Sequence, residues 1–156
     1  MTNKRRTLLK GTLATTALGA AAATGLIAPR LTLAAWPKDA FKADNADDVV
    51  SRLFGTADHT ASSDIKVKAP DIAENGAVVP ITVSTSLPNI ETIAIIAEKN
   101  PAPLAASFDL GGSSEGYVST RIKMGKTSNV VAVVKSGGKL YSASKEVKVT
   151  IGGCGG

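Results

Sequence analysis

Beyond residue 63 the apolar and polar positions alternate with a period of two. In the stretch DIKVKAP, Ile65 and Val67 alternate with Lys66 and Lys68. GAVVPITVSTS places Ala77, Val79, Ile81 and Val83 on one side. YVSTRIKM sets Val118, Thr120, Ile122 and Met124 against Ser119, Arg121 and Lys123. Successive side chains of a strand point to opposite faces, so this period predicts strands with one buried face. NIETIAIIAEKN is apolar almost throughout residues 93–97 and is read as another strand. NVVAVVKSGGKLYSASKEVKVTIG holds two more, separated by the turn Ser136, Gly137, Gly138 and Lys139.

One segment breaks the pattern. In FKADNADDVVSRLFG, Ala46, Val49, Val50 and Leu53 recur at helical spacing. Asn45 or Asp44 can cap this helix, and Asp47 and Asp48 put negative charge in its first turn. Gly55 is a natural stop. Short strands divided by turn residues, with no long helices between them, predict an all-β antiparallel β-sandwich preceded by one short N-terminal helix. Pro80 inside a strand pattern predicts an edge or a bulge. NPAPLAASFDLGGSSEGY, residues 100–117, is the longest irregular stretch and is expected to connect the sheets. No internal repeat or low-complexity tract is present in the body of the chain.

The first 34 residues read differently. Lys4, Arg5, Arg6, Lys10 and Arg30 are their charges, with no acidic residue among them. A soft apolar run rich in Ala, Thr and Gly follows, over residues 13–28. It is shorter and less hydrophobic than the roughly 20 strongly apolar residues of a membrane span. Ala34 and Ala35 offer a cleavage site, so residues 1–34 are read as an export signal, outside the fold. The pair Arg5 and Arg6, followed by Thr7, Leu8, Leu9 and Lys10, matches the twin-arginine type. The other reading is a chance Arg pair before a general secretory signal. The expected destination is the periplasm. The β-sandwich domain is then 35–151, followed by an arm at 152–156.

Charge changes meaning once the signal is set aside. The whole chain is +5, from 18 basic and 13 acidic residues. Without the five basic residues of the signal, the rest carries 13 of each. That balance argues against a nucleic-acid partner, and no basic patch with interleaved aromatics is visible.

Few parts for catalysis remain. His59 is the single histidine, in GTADHTASSD, and is expected in a solvated loop. Without a second His or a His/Cys cluster, no zinc or haem ligand set exists, and neither metal nor cofactor is expected. A Ser-His-Asp site would have to use His59, and no strand-turn-helix nucleophile elbow supports one. GGSSEG lacks the strand-to-helix setting of a phosphate cradle. The protein is therefore not expected to be an enzyme.

What stands out is the ending, KVTIGGCGG. Cys154 is the single cysteine of the chain, with Gly152 and Gly153 before it and Gly155 and Gly156 after it. In an exported protein an odd cysteine points to a reactive thiol or an intermolecular bridge, such as a Cys154-linked dimer. Glycine barely restricts φ and ψ, so these residues are expected to form a flexible arm able to enter a narrow channel. Two glycines between strand and cysteine give a reach of about 10 Å. The thiolate is the nucleophile, and nothing adjacent in sequence lowers its pKa. That suits a sulfur that carries a group but is activated by each visiting enzyme. A lipid anchor on Cys154, with two residues after it, is not expected.

The twin-arginine signal, the small β-rich domain and the terminal GGCGG resemble the SoxY family, the sulfur-carrier subunits of the bacterial Sox thiosulfate-oxidising system. The resemblance covers the layout of the whole chain, and its specific part is the five-residue ending. It implies an immunoglobulin-like sandwich paired with a second small β protein, SoxZ, as a heterodimer. It implies that Cys154 holds the substrate covalently. A haem-containing enzyme would couple thiosulfate to the thiol, a hydrolase would release sulfate, and in some organisms a sulfane dehydrogenase would oxidise the remaining sulfur. Pairing with a partner that lacks a signal would also explain twin-arginine export of a chain without cofactor.

Two other classes compete. A ubiquitin-like sulfur carrier would bear a thiocarboxylate on Gly156 after adenylation by ATP, which is not available outside the cytoplasm. A structural or adhesion module would dimerise through a Cys154 disulfide.

Overall fold

The computed structural model describes residues 37–111 and 114–150. A 3-10 turn, Ala40–Lys42, leads into the helix α1, Ala46–Phe54. Among the described residues nine strands follow: β1 Thr60–Ala61, β2 Ile65–Lys68, β3 Ile72–Ala73, β4 Val79–Thr85, β5 Ile90–Ala97, β6 Leu104–Asp109, β7 Tyr117–Ile122, β8 Ser128–Ser136 and β9 Lys139–Val149. They form a β-sandwich. The large sheet has the order β1-β9-β8-β5-β6, with β3 also on β9, and the small sheet has the order β2-β4-β7. Among the described residues no helix is long and apolar enough to cross a membrane.

The facing sides of the two sheets make the main core. Ile81 and Val83 of β4 join Ile93, Ile95, Val130, Ala132 and Val134 of the large sheet in one buried cluster. The intervening residues of β5 and β8 are buried too, Val131 only in part. Ala94, Ile96 and Val133 form a second cluster with Val49 and Val50 of α1. The helix thus covers the outer face of the large sheet. That is why IAIIA and VVAVV are apolar without alternation, since both faces of these two strands are covered. Burying one Val or Ile side chain contributes about 1.5–3 kcal/mol, so the second layer is a substantial part of the fold's stability.

The local signals act as the sequence suggests. Asn45 caps α1, its side chain accepting from the Asp48 N–H at 2.9 Å. Gly55 ends the helix in the left-handed conformation, φ 83°. Gly137 and Gly138 take φ 53° and 76° between β8 and β9. Those are the positive angles of a two-residue hairpin turn whose twist matches the strands it joins.

Two expectations need correction. Residues 100–117 are not simply a connection: β6 lies within them and pairs antiparallel with β5, from Thr92 opposite Asp109 to Ile96 opposite Leu104. Its side chains are mostly half-buried at the sheet's edge, so LAASFD shows no clean alternation. The sheets are also not purely antiparallel. Two short strands, β1 and β3, run parallel to β9, opposite Tyr141 and Ser142 and opposite Lys148 and Val149.

Pro80 sits in the central strand of the small sheet, yet at a local edge. The Thr85 N–H donates to Gly116 O at 2.8 Å, and the Ser86 N–H to Asp64 O at 3.2 Å. Bonding alternates along an antiparallel strand, so the Pro80 nitrogen faces the β2 side. The β2 ladder has already ended there, at Lys68 opposite Thr82. The missing N–H leaves no gap in a hydrogen-bonded pair.

Candidate functional site

The site begins where β9 ends. The segment 71–78 wraps that end on one side. The Lys148 N–H donates to Asp71 O at 3.0 Å, and the Thr150 N–H to Ala73 O at 3.2 Å. On the other side Thr127 Oγ1 accepts the Val149 N–H at 2.9 Å. Its own hydroxyl lies 3.4 Å from Val149 O. Gly76 fits tightly between layers: a Cβ there would overlap Met124 O and lie 2.8 Å from Val149 Cγ1. The residues leading to Cys154 are therefore launched from a backbone held on both edges.

Further back, Lys145 closes the stretch of β9 between its two short parallel neighbours. Its ammonium donates to Ala69 O at 2.7 Å and pairs with Asp71 at 3.0 Å. A lysine turned onto an open strand edge guards it against pairing with another chain.

The same end of the sandwich carries a cleft of about 550 Å³, lined by Asn100, Pro101, Ala102, Ala105, Arg121 and Lys123, among others. Asn100 fixes one wall, donating to Lys123 O at 2.6 Å and accepting the Gly125 N–H at 2.9 Å.

The expected site residues Cys154, Gly152, Gly153, Gly155 and Gly156 lie outside the described residues, as do Arg5 and Arg6. Cys154 is four residues beyond Thr150. Covalent geometry lets that segment span at most about 14 Å.

His59 is exposed, and its Nδ1 lies 3.0 Å from Ser142 Oγ. Ser142 is a mid-strand residue of β9, paired to Val133 on one side and Ala61 on the other. Ser142 therefore sits on a regular strand, without the sharp turn that exposes a catalytic serine. Among the described residues no group of three or more His, Cys, Asp or Glu side chains could hold a metal ion.

Among the described residues two carboxylates are held below their ordinary range, both in ion pairs that brace the fold. Arg52 donates to Asp48 at 2.8 Å and lowers its pKa. Lys135 lies 2.7 Å from Glu91 and lowers its pKa, helped by the Gly138 N–H. The supports of the β9 end were missed by sequence reading. β3 is two residues long, too short for a periodic signal, and Thr127 and Gly76 resemble ordinary loop residues. The Asn-Gly pair at 75–76 was the available hint, and Asn75 does form a turn, its Oδ1 accepting the Ala77 N–H at 2.9 Å.

The model of the family described as "Sulfur oxidation protein SoxY" matches residues 50–154. Among solved structures, the chain is similar to the sulfur carrier protein SoxY from Chlorobium limicola f thiosulfatophilum. Identity is 50%, the match covers 67% of this chain and 96% of that one, and the TM-score is 0.62. A superoxide reductase (neelaredoxin) from Ignicoccus hospitalis is similar in fold, at 24% identity over 59% of this chain and 81% of that one, with a TM-score of 0.50. The search of curated proteins found no match. The family match runs from within α1 to Cys154, over more than half of the sequence, and this chain belongs to the SoxY family of sulfur oxidation proteins.

Proposed function

We propose that this protein is a covalent sulfur carrier of thiosulfate oxidation, with Cys154 as the attachment point and Gly152, Gly153, Gly155 and Gly156 as its flexible arm. The observation that carries this reading is the family match reaching Cys154, a single cysteine five residues past a braced strand end. The support is chemical as well. A carrier needs a thiol on a short tether and no base or metal of its own. Tethering replaces diffusion with a high effective concentration at each docked enzyme.

The steps balance as follows. The Cys154 thiol and thiosulfate form a sulfur–sulfur bond, giving Cys–S–S–SO3⁻, one proton and two electrons, which a haem-containing partner accepts. Water then cleaves the terminal S–S bond on a hydrolase, leaving Cys–S–SH and releasing sulfate and a proton. A sulfane dehydrogenase is the class of enzyme that would oxidise the sulfur left behind. A SoxZ-like β subunit is the proposed heterodimer partner, and the periplasm the proposed location, reached by the twin-arginine route through Arg5 and Arg6.

The test is the intact mass of the protein from thiosulfate-grown cells, before and after reduction, beside a Cys154→Ser variant. The expected result is a thiosulfonate or sulfane adduct on the C-terminal peptide, lost on reduction and absent from the variant. A bare thiol or a simple disulfide dimer under every growth condition would turn Cys154 into a crosslink. Adducts on the serine variant would sink the reading altogether.

A further inference from the structure

We infer that the rim formed by Ile72 and Val78 is the surface on which the haem-containing enzyme that loads Cys154 docks. This inference rests on the carrier reading and names the partner surface of that same site. Among the described residues three large apolar side chains are more than half exposed: Ile72 at 57%, Val78 at 52% and Tyr117 at 57%. Two of the three belong to the segment that wraps the end of β9. Ile72 is the register partner of Lys148, and its neighbour Ala73 accepts the Thr150 N–H. Val78 is two residues from Gly76, which packs against Val149.

The alternation within this segment is telling. Ala73 and Val79 are buried in the sandwich core, while Ile72 and Val78 point away from it. Both are more than half exposed, yet both are β-branched hydrophobes.

Tether length then selects the occupant. Cys154 can travel at most about 14 Å from Thr150. An active site that receives its sulfur must come within that distance, and its rim must then meet residues 71–78. The partner is accordingly an enzyme with an apolar collar around a narrow entrance. An acidic group on that collar would face Lys148, which is exposed beside Ile72 and has no ion pair to a described residue.

The experiment uses the full-length protein, thiosulfate and the haem-containing coupling enzyme, with adduct formation on Cys154 followed by intact mass at subsaturating carrier. Ile72→Ser and Val78→Ser are expected to load at least ten-fold more slowly, with unchanged rates of alkylation by iodoacetamide. Tyr117→Ser is the control, because Tyr117 lies at the other end of the ladder, opposite Ser84, while Val79 is opposite Ile122. It is expected to load like the wild type. Equal loading of wild type, Ile72→Ser and Val78→Ser would overturn the docking surface and leave the carrier reading standing. An equal loss in Tyr117→Ser would also overturn it. A wild type that never loads would overturn the carrier reading, and this inference with it.

Discussion

Thr127 and Val149 hold each other by side chain and backbone: the Thr127 hydroxyl oxygen accepts the Val149 N–H at 2.9 Å and lies 3.4 Å from the Val149 carbonyl. A loop threonine thus takes the place of a neighbouring strand at the last position of β9. Thr127→Val keeps the shape and removes both contacts. The expected cost is about 1–3 kcal/mol, because the Val149 N–H loses its partner. Amide hydrogen exchange checks this, with faster exchange expected at Val149 than in the core of β9.

Gly76 is the tight point of the same region. Gly76→Ala would drive a methyl group into the Met124 carbonyl and the Val149 side chain. Backbone cannot yield as a flexible side chain can, so a loss of about 1–3 kcal/mol is expected. Thermal unfolding measures it. A variant as stable as the wild type would mean that the 71–78 segment is free to shift.

The helix contributes through its cap as well as its packing. Asn45→Ala removes the acceptor for the Asp48 N–H and is expected to lower stability by about 1 kcal/mol. Asn45→Asp keeps an acceptor and is expected to restore most of it. The comparison of the two melting temperatures is the readout.

Glu91 gives the fold a pH dependence of known sign. Its pKa is lowered from 4.5, first by the hydrogen bond from Lys135 and then by the Gly138 N–H. A depressed folded-state value means that the contribution is fully present above 4.5 and is lost as pH falls from there through the lowered value. Glu91→Gln is therefore expected to melt below the wild type near neutral pH. The gap should close in acid, and a gap of constant size at every pH would refute the assignment. The pair is partly exposed, so added salt is expected to narrow the gap as well.

The proposed arm makes a prediction about length. Deleting Gly152 and Gly153 shortens the tether from Thr150 from about 14 Å to about 7 Å. Loading of Cys154 by the coupling enzyme is expected to fall at least ten-fold, while its alkylation by iodoacetamide is unchanged. Loading at the wild-type rate would mean that the enzyme does not need the cysteine to reach into it.

How much of this was legible depended on whether a signal was local. The helix was legible because Asn45, Asp48 and Gly55 act within their own turn. The hairpin between β8 and β9 was legible because Gly137 and Gly138 alone decide its twist. β6 was not, since an edge strand with half-buried side chains on both faces shows neither alternation nor a solid apolar run. β1 and β3 are two residues each and exist only because β9 is beside them. For Cys154 and its glycines, composition and place in the chain were the whole signal.

By itself, then, the sequence determined the sandwich class, the capped helix and the single thiol between paired glycines. These follow from side-chain periodicity, backbone preferences and chemistry that a residue carries wherever it sits. Tertiary structure decided the rest: that α1 lies on the outer face of the large sheet, that Pro80 occupies a locally unpaired edge of a central strand, and that Thr127, Ala73 and Gly76 meet at the end of β9. Those relations join residues that are distant in sequence. Their energy comes from contacts that exist only once both sheets are closed, and no local pattern can carry it.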